Sequence, residues 1–139
     1  MEIKRNKVLF ITHEQKFNLL SIATAKKISA LIHGELSLFY VANTPIHDQI
    51  SQISSIQESM SEGIGSVFYV HENTFETQMI QALQEQQYPF ILSEQYSITK
   101  TNLSKFLQEQ EKHTTYQQIL LPGDHILFAN ERICTEVFA

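Results

Sequence analysis

Lys7-Val8-Leu9-Phe10-Ile11-Thr12 and Glu35-Leu36-Ser37-Leu38-Phe39-Tyr40-Val41-Ala42 decide the fold class of this chain. Both are short runs rich in apolar, β-branched and aromatic residues, the pattern of strands buried on both faces of a parallel sheet. Between them, from Gln15 to His33, Phe17, Leu20, Ile28 and Leu31 recur at roughly helical spacing, and Gly34 supplies a C-terminal stop. A crossover of that length is what parallel pairing requires, so residues 7 to 42 read as a βαβ unit.

The alternation continues outward from that unit. Thr44-Pro45 opens a second helix, striped by Ile46, Ile50, Ile53, Ile56, Met60 and Ile64 at three- and four-residue steps, and Gly63 and Gly65 interrupt it. Ser66-Val67-Phe68-Tyr69-Val70-His71 predicts a third strand. Asn73 is positioned to cap the next helix, with Glu76 three residues on; that helix runs to about Gln87 and buries Phe75, Met79, Ile80 and Leu83. Pro89 to Ser93 reads as a fourth strand, since proline is tolerated at a strand's first residue. Leu103, Phe106 and Leu107 mark a fourth helix between about Thr101 and Lys112, and Gln118 to Leu121 a fifth strand before the turn signal Pro122-Gly123-Asp124. The expectation is an α/β domain: a doubly wound, five-stranded parallel sheet with helices on both faces.

That domain is expected to span residues 1–122. The remainder, 123–139, contains Ile126, Leu127, Phe128, Ile133, Val137 and Phe138. It is too apolar to dangle and is expected to pack on the domain or on a partner subunit.

A chain of 139 residues, 42% hydrophobic and 18% charged, is neither polar enough for disorder nor apolar enough for a membrane. No segment approaches the ~20 apolar residues of a spanning helix, and Met1 to Lys7 carries no cleavage signal, so a cytoplasmic location, or the cytosolic face of a membrane, is expected. Ten basic against fifteen acidic residues leave a net charge of −5, the wrong sign for general nucleic-acid binding. Lys4-Arg5-Asn6-Lys7 and Lys26-Lys27 read as solvated ends or faces of elements. Cys134 stands alone, without a disulfide partner or a zinc-ligand spacing.

Histidines at 13, 33, 47, 71, 113 and 125 form no local ligand pair, so no metal is predicted. No nucleophile elbow is present, and Ser93 and Cys134 lack a companion base in sequence. Glu72 with Glu76, and Glu109 with Glu111, read as solvated helix acids, so no catalytic residues and no enzymatic activity are expected.

With that element order in place, the chain resembles the universal stress protein family. Lys7 to His13 looks like its first strand, Glu35 to Ala42 its second, Phe90-Ile91-Leu92-Ser93 its fourth and Gln118-Ile119-Leu120-Leu121 its fifth, covering about residues 7 to 121. The resemblance implies the adenine-nucleotide-hydrolase-like strand order 3-2-1-4-5, with a nucleotide cleft above the carboxyl ends of strands one and four. It also implies an aspartate closing strand one and a glycine-rich phosphate loop after strand four. Here the first position is His13, and Ser93-Glu94-Gln95-Tyr96-Ser97-Ile98-Thr99-Lys100-Thr101-Asn102 contains no glycine. Phosphate cradling needs close backbone N–H groups, which side chains obstruct, and Glu94 would repel a polyphosphate. Weak ATP binding or none, and no cofactor, is therefore expected.

By the switch-point rule, a ligand would meet Thr12, His13, Ala42, Asn43, Ser93 and Glu94 at the strand ends. The expected function is a non-enzymatic regulatory or interaction domain of the universal stress type. It is expected to form a homodimer through the fifth strand and the C-terminal tail. The resemblance extends to the cytosolic C-terminal domains of cation/proton antiporters, whose first strand likewise often lacks the aspartate and leads into a helix similar to Phe17-Asn18-Leu19-Leu20-Ser21-Ile22-Ala23. The alternative is a small-molecule or adenine-nucleotide binder with a modified cleft. Closure of Ser93 to Asn102 over the cleft would favour the interaction reading; an open pocket lined by His13 and Asn43 would favour the binder.

Overall fold

Successive side chains of a strand point to opposite faces, and β1 (Asn6–His13) is buried on both. Leu9 and Ile11 enter one apolar cluster and Val8 and Phe10 a second on the other side of the sheet. In the computed structural model, which describes residues 6–44, 50–60, 64–85, 88–109, 116–121 and 124–130, the chain continues as α1 (Leu19–Leu31), β2 (Gly34–Ala42), α2 (Ile50–Met60) and β3 (Ile64–His71). A single 3-10 turn (Glu72–Thr74) leads into α3 (Phe75–Glu85), followed by β4 (Phe90–Glu94), α4 (Gln95–Thr101), α5 (Leu103–Glu109), β5 (Tyr116–Leu121) and β6 (His125–Asn130). Ile22 and Ala25 of α1 and Ile56 of α2 pack on the Val8–Phe10 face. Phe75 and Met79 of α3, Ile98 of α4 and Phe106 of α5 pack on the Leu9–Ile11 face.

The α/β class and the β3-β2-β1-β4 core match the expected order, with all three of those pairings parallel. The expected five-stranded parallel sheet with order 3-2-1-4-5 is corrected at its other end. The sheet has six strands, in the order β3-β2-β1-β4-β6-β5, and β6 runs antiparallel to both of its neighbours. Strand five keeps the sense of β4 but is displaced outward by β6. Burial explains the displacement. β6 sends Leu127 and Ala129 into one cluster and Phe128 into the other, whereas β5 carries Gln117 and Gln118, both exposed, and has little to gain from an interior place. The segment from residue 123, expected to pack as an extension, thus supplies an inner strand with His125–Asn130; Glu131 to Ala139 lie outside the described residues.

Local differences have local causes. Gly34 is the first residue of β2, and the left-handed position after α1 is His33, at φ 52, so α1 ends without the expected glycine. Ile64 and Gly65 belong to β3, not to the α2 stripe. The β2–β3 register steps from Leu36↔Ile64 to Ser37↔Ser66, leaving Gly65 as the extra residue of a bulge where a Cβ would meet the Glu35 carboxylate. His71, not Asn73, caps the turn into α3, its Nδ1 accepting the Asn73 N–H at 3.1 Å. Ile80 is exposed and Ala82 takes its expected place on the buried face. The expected helix from Thr101 begins earlier as α4 and restarts as α5, broken at Asn102, whose φ of 54 is left-handed. The Thr44-Pro45 helix start and Ile46 fall at or within residues 45–49, outside the described residues beyond Thr44.

Candidate functional site

The reversal of strand order falls between β1 and β4, the place where open α/β sheets form a crevice at the carboxyl ends of their strands. β1 delivers Thr12 and His13 there, and β4 delivers Ser93 and Glu94, because Ile11 and Ser93 are partners in the parallel register. α4 starts immediately after Glu94 and turns Ser97 back over the ends of both strands. Thr12, His13, Ser93, Glu94 and Ser97 are each at most 1% exposed.

Most of their polar groups are engaged by the chain itself. Thr12 Oγ1 and Ser97 Oγ both donate to Glu94 Oε2, each at 3.1 Å, and Ser97 Oγ accepts the His13 backbone N–H at 3.0 Å. Ser93 Oγ donates to the Ile11 carbonyl at 2.7 Å. The His13 ring accepts the Gln15 N–H on Nδ1 at 3.2 Å, which assigns the neutral ring's proton to Nε2, donated to Glu72 Oε1 at 3.0 Å. The Tyr96 hydroxyl donates to Gln15 Oε1, and its ring lies edge-on to His13 with centroids 6.2 Å apart. All three hydroxyls of the cluster are engaged, those of Thr12 and Ser97 on the Glu94 carboxylate and that of Ser93 on the Ile11 carbonyl.

Glu94 is the electrostatic centre of this arrangement. Its Oε1 is buried without a hydrogen-bond partner. Burial raises its carboxyl above the ordinary value, outweighing the Thr12 and Ser97 hydroxyls and the attraction of His125, all of which pull the other way.

The remaining expected contacts lie apart from this cluster. Ala42 joins the apolar cluster on the α1 face. Asn43 is exposed, and its N–H, with the Thr44 N–H and hydroxyl, donates to Glu14 Oε1 at 2.8, 3.2 and 3.1 Å. A protein carboxylate therefore occupies these donors at the end of β2. A cavity of about 310 Å³ opens beside it, between the start of α3 and the end of α4, bounded by Val41, Glu72, Asn73, Glu76, Lys100 and Asn102 among others.

Sequence reasoning missed Ser97, Glu72 and Glu14 as members of the site. Ser97 follows Glu94 by three residues, the reach of one helical turn, a signal visible only once that segment is taken as helix. Glu72 and Glu14 carry no comparable signal. Among the described residues, no three His, Cys, Asp or Glu side chains converge as a metal site would require, and no helix is long and apolar enough to cross a membrane. No model of a known family matches the chain, and no curated protein matches it.

Proposed function

We infer that this chain is a non-enzymatic regulatory or interaction domain of the universal stress type, of the kind carried on the cytosolic side of cation/proton antiporters. The observation that supports it is the closure of the strand-end crevice by the chain itself. Ser97 bridges the His13 N–H and the Glu94 carboxylate, so α4 lies where a nucleotide-binding relative of this architecture would hold phosphates. The carboxylates of Glu94 and Glu14 sit where an incoming polyphosphate would need donors. The fifth strand gives the reading its interaction surface: β5 is the last strand of the sheet, and Ile119 and Leu120 are 40% and 80% exposed. Pairing of two β5 edges across a two-fold axis would make the homodimer.

Thermal unfolding with and without Mg-ATP and AMP tests this reading. A ligand at 100 times its dissociation constant adds about 2.7 kcal/mol, so an unshifted transition supports the closed crevice and an upward shift overturns it. The second reading, a small-molecule binder, has one observation in its favour: the cavity between α3 and α4 places Glu72 and Glu76 on one wall and Lys100 on the other. Under that reading the shift would appear, and Lys100→Ala would remove it.

A further inference from the structure

A carboxylate with one oxygen unpartnered is a costly thing to seal under a helix, and α4 seals Glu94 at 1% exposure. Oε2 is served by the Thr12 and Ser97 hydroxyls; Oε1 is not served at all. A proton on the carboxyl removes most of the penalty, since a buried O–H without an acceptor costs far less than a buried charge with one oxygen left unpartnered. The covering element is also short. α4 is seven residues long, ends at left-handed Asn102, and is fastened to its surroundings through Ser97 to His13 and Glu94, through the Gln95 N–H to the Asp124 carbonyl at 2.8 Å, through the Tyr96 hydroxyl to Gln15, and by Ile98 in the core.

We propose that ionisation of Glu94 loosens α4 from the ends of β1 and β4, so that the crevice is latched when the carboxyl is protonated and opens more readily when it is charged. The proposal rests on the closed-crevice reading of this site. Lys100 of α4 stands over the Tyr96 ring at 5.9 Å, and the other titratable groups near the latch among the described residues come from three further elements. His125 is the cross-strand partner of Glu94 on β6, with Asp124 beside it; His13 follows Thr12 on β1, with Glu72 receiving its Nε2–H; Tyr96 is on α4 itself. A positive charge on His125 favours ionisation of Glu94, and burial opposes it more strongly. The device therefore responds to proton concentration above the ordinary carboxylate range. What it controls is access to Thr12, Ser93 and the His13 N–H.

The test is carbon-detected NMR titration of the Glu94 side-chain carboxyl in the 139-residue chain, together with amide hydrogen exchange of α4 from about pH 4 to about pH 8. The expected midpoint lies above the ordinary glutamate value of about 4.3. Once intrinsic exchange is divided out, protection of α4 should fall by up to about tenfold per pH unit between the ordinary value and that midpoint, because each opening then releases one proton. Glu94→Gln should hold protection level across the range, and His125→Gln should keep the dependence while moving its midpoint upward. A midpoint at the ordinary value, α4 protection that ignores the titration, or an unchanged dependence in Glu94→Gln overturns the latch. The wild-type titration decides the matter even should Glu94→Gln fail to fold. Mg-ATP added at both ends of the range separates the two ideas. A flat α4 profile without nucleotide stabilisation sinks the latch alone, and nucleotide stabilisation at the acid end sinks the closed crevice on which it depends.

Discussion

Replacing Ser97 by alanine leaves the buried His13 N–H without an acceptor and removes one of the two donors to Glu94. The cost should be about 1–3 kcal/mol, read as a lower urea midpoint, while Ser93→Ala, which gives up one hydroxyl shared between the Ile11 and Glu94 carbonyls, should cost about 1 kcal/mol. Glu94 sets a dependence on pH. Its folded value is raised, so its contribution to stability is complete below the unfolded carboxyl's value and is lost as pH rises through the folded one. Urea midpoints of the wild type should therefore decline across that interval, and those of Glu94→Gln should not. Tyr40 behaves alike at the alkaline end. Burial first, then the charges of Glu14 and Tyr69, push its hydroxyl up to about 12, so stability it contributes below 10.0 is lost as pH rises toward 12. Burial raises Tyr69 and Tyr88 as well, so an ultraviolet titration should show a late phenolate step that Tyr40→Phe diminishes by one tyrosine. At this scale the site was half legible. Thr12, His13, Ser93 and Glu94 follow from strand ends and the switch-point rule, but the contact of Glu72 with His13 joins residues 59 positions apart and leaves no local trace.

Among the helices, α4 was the one sequence did not disclose, and Gln95-Tyr96-Ser97-Ile98-Thr99-Lys100-Thr101 shows why. It buries Ser97, Ile98 and Thr101, so its inward face contains one large apolar residue and no stripe for a periodicity argument to find. Two of its residues are threonines, β-branched and poor in helices. Its end is more specific. Asn102 holds φ 54, a conformation asparagine and glycine tolerate and other residues resist. Asn102→Gly should leave stability within a few tenths of a kcal/mol, whereas Asn102→Val should cost about 1–2 kcal/mol. α1 offers a parallel case at its start, where Asn18 Oδ1 accepts the Ser21 N–H at 2.7 Å. Asn18→Ala should cost about 1 kcal/mol, measurable by the same chemical unfolding.

For the molecule as a whole, the β3-β2-β1-β4 core was legible because β2, β1 and β4 are largely apolar runs that bury both faces, and β3 adds the apolar stretch Val67-Phe68-Tyr69-Val70 at the edge; such runs leave few alternatives. The far edge was not. His125-Ile126-Leu127-Phe128-Ala129-Asn130 was recognised as apolar, but nothing in composition says whether a final segment lies on a sheet or enters it. Core and edge should differ accordingly under mutation. Ile91→Ala, at a fully buried position on β4, should cost about 2–5 kcal/mol. Leu120→Glu, on the outer strand, should change monomer stability by less than about 0.5 kcal/mol while shifting the sedimentation behaviour of any β5-mediated dimer toward the monomer. The inward place of β6 also bears on how the protein is made. As the chain leaves the ribosome, β1 to β4 can pair in parallel once α3 has emerged, yet β4 receives its second neighbour only after Asn130 has been synthesised. During that interval Phe90, Ile91 and Leu92 form a bare apolar edge, the template on which another nascent chain can pair wrongly, so truncation before His125 should convert a folding sequence into an aggregating one.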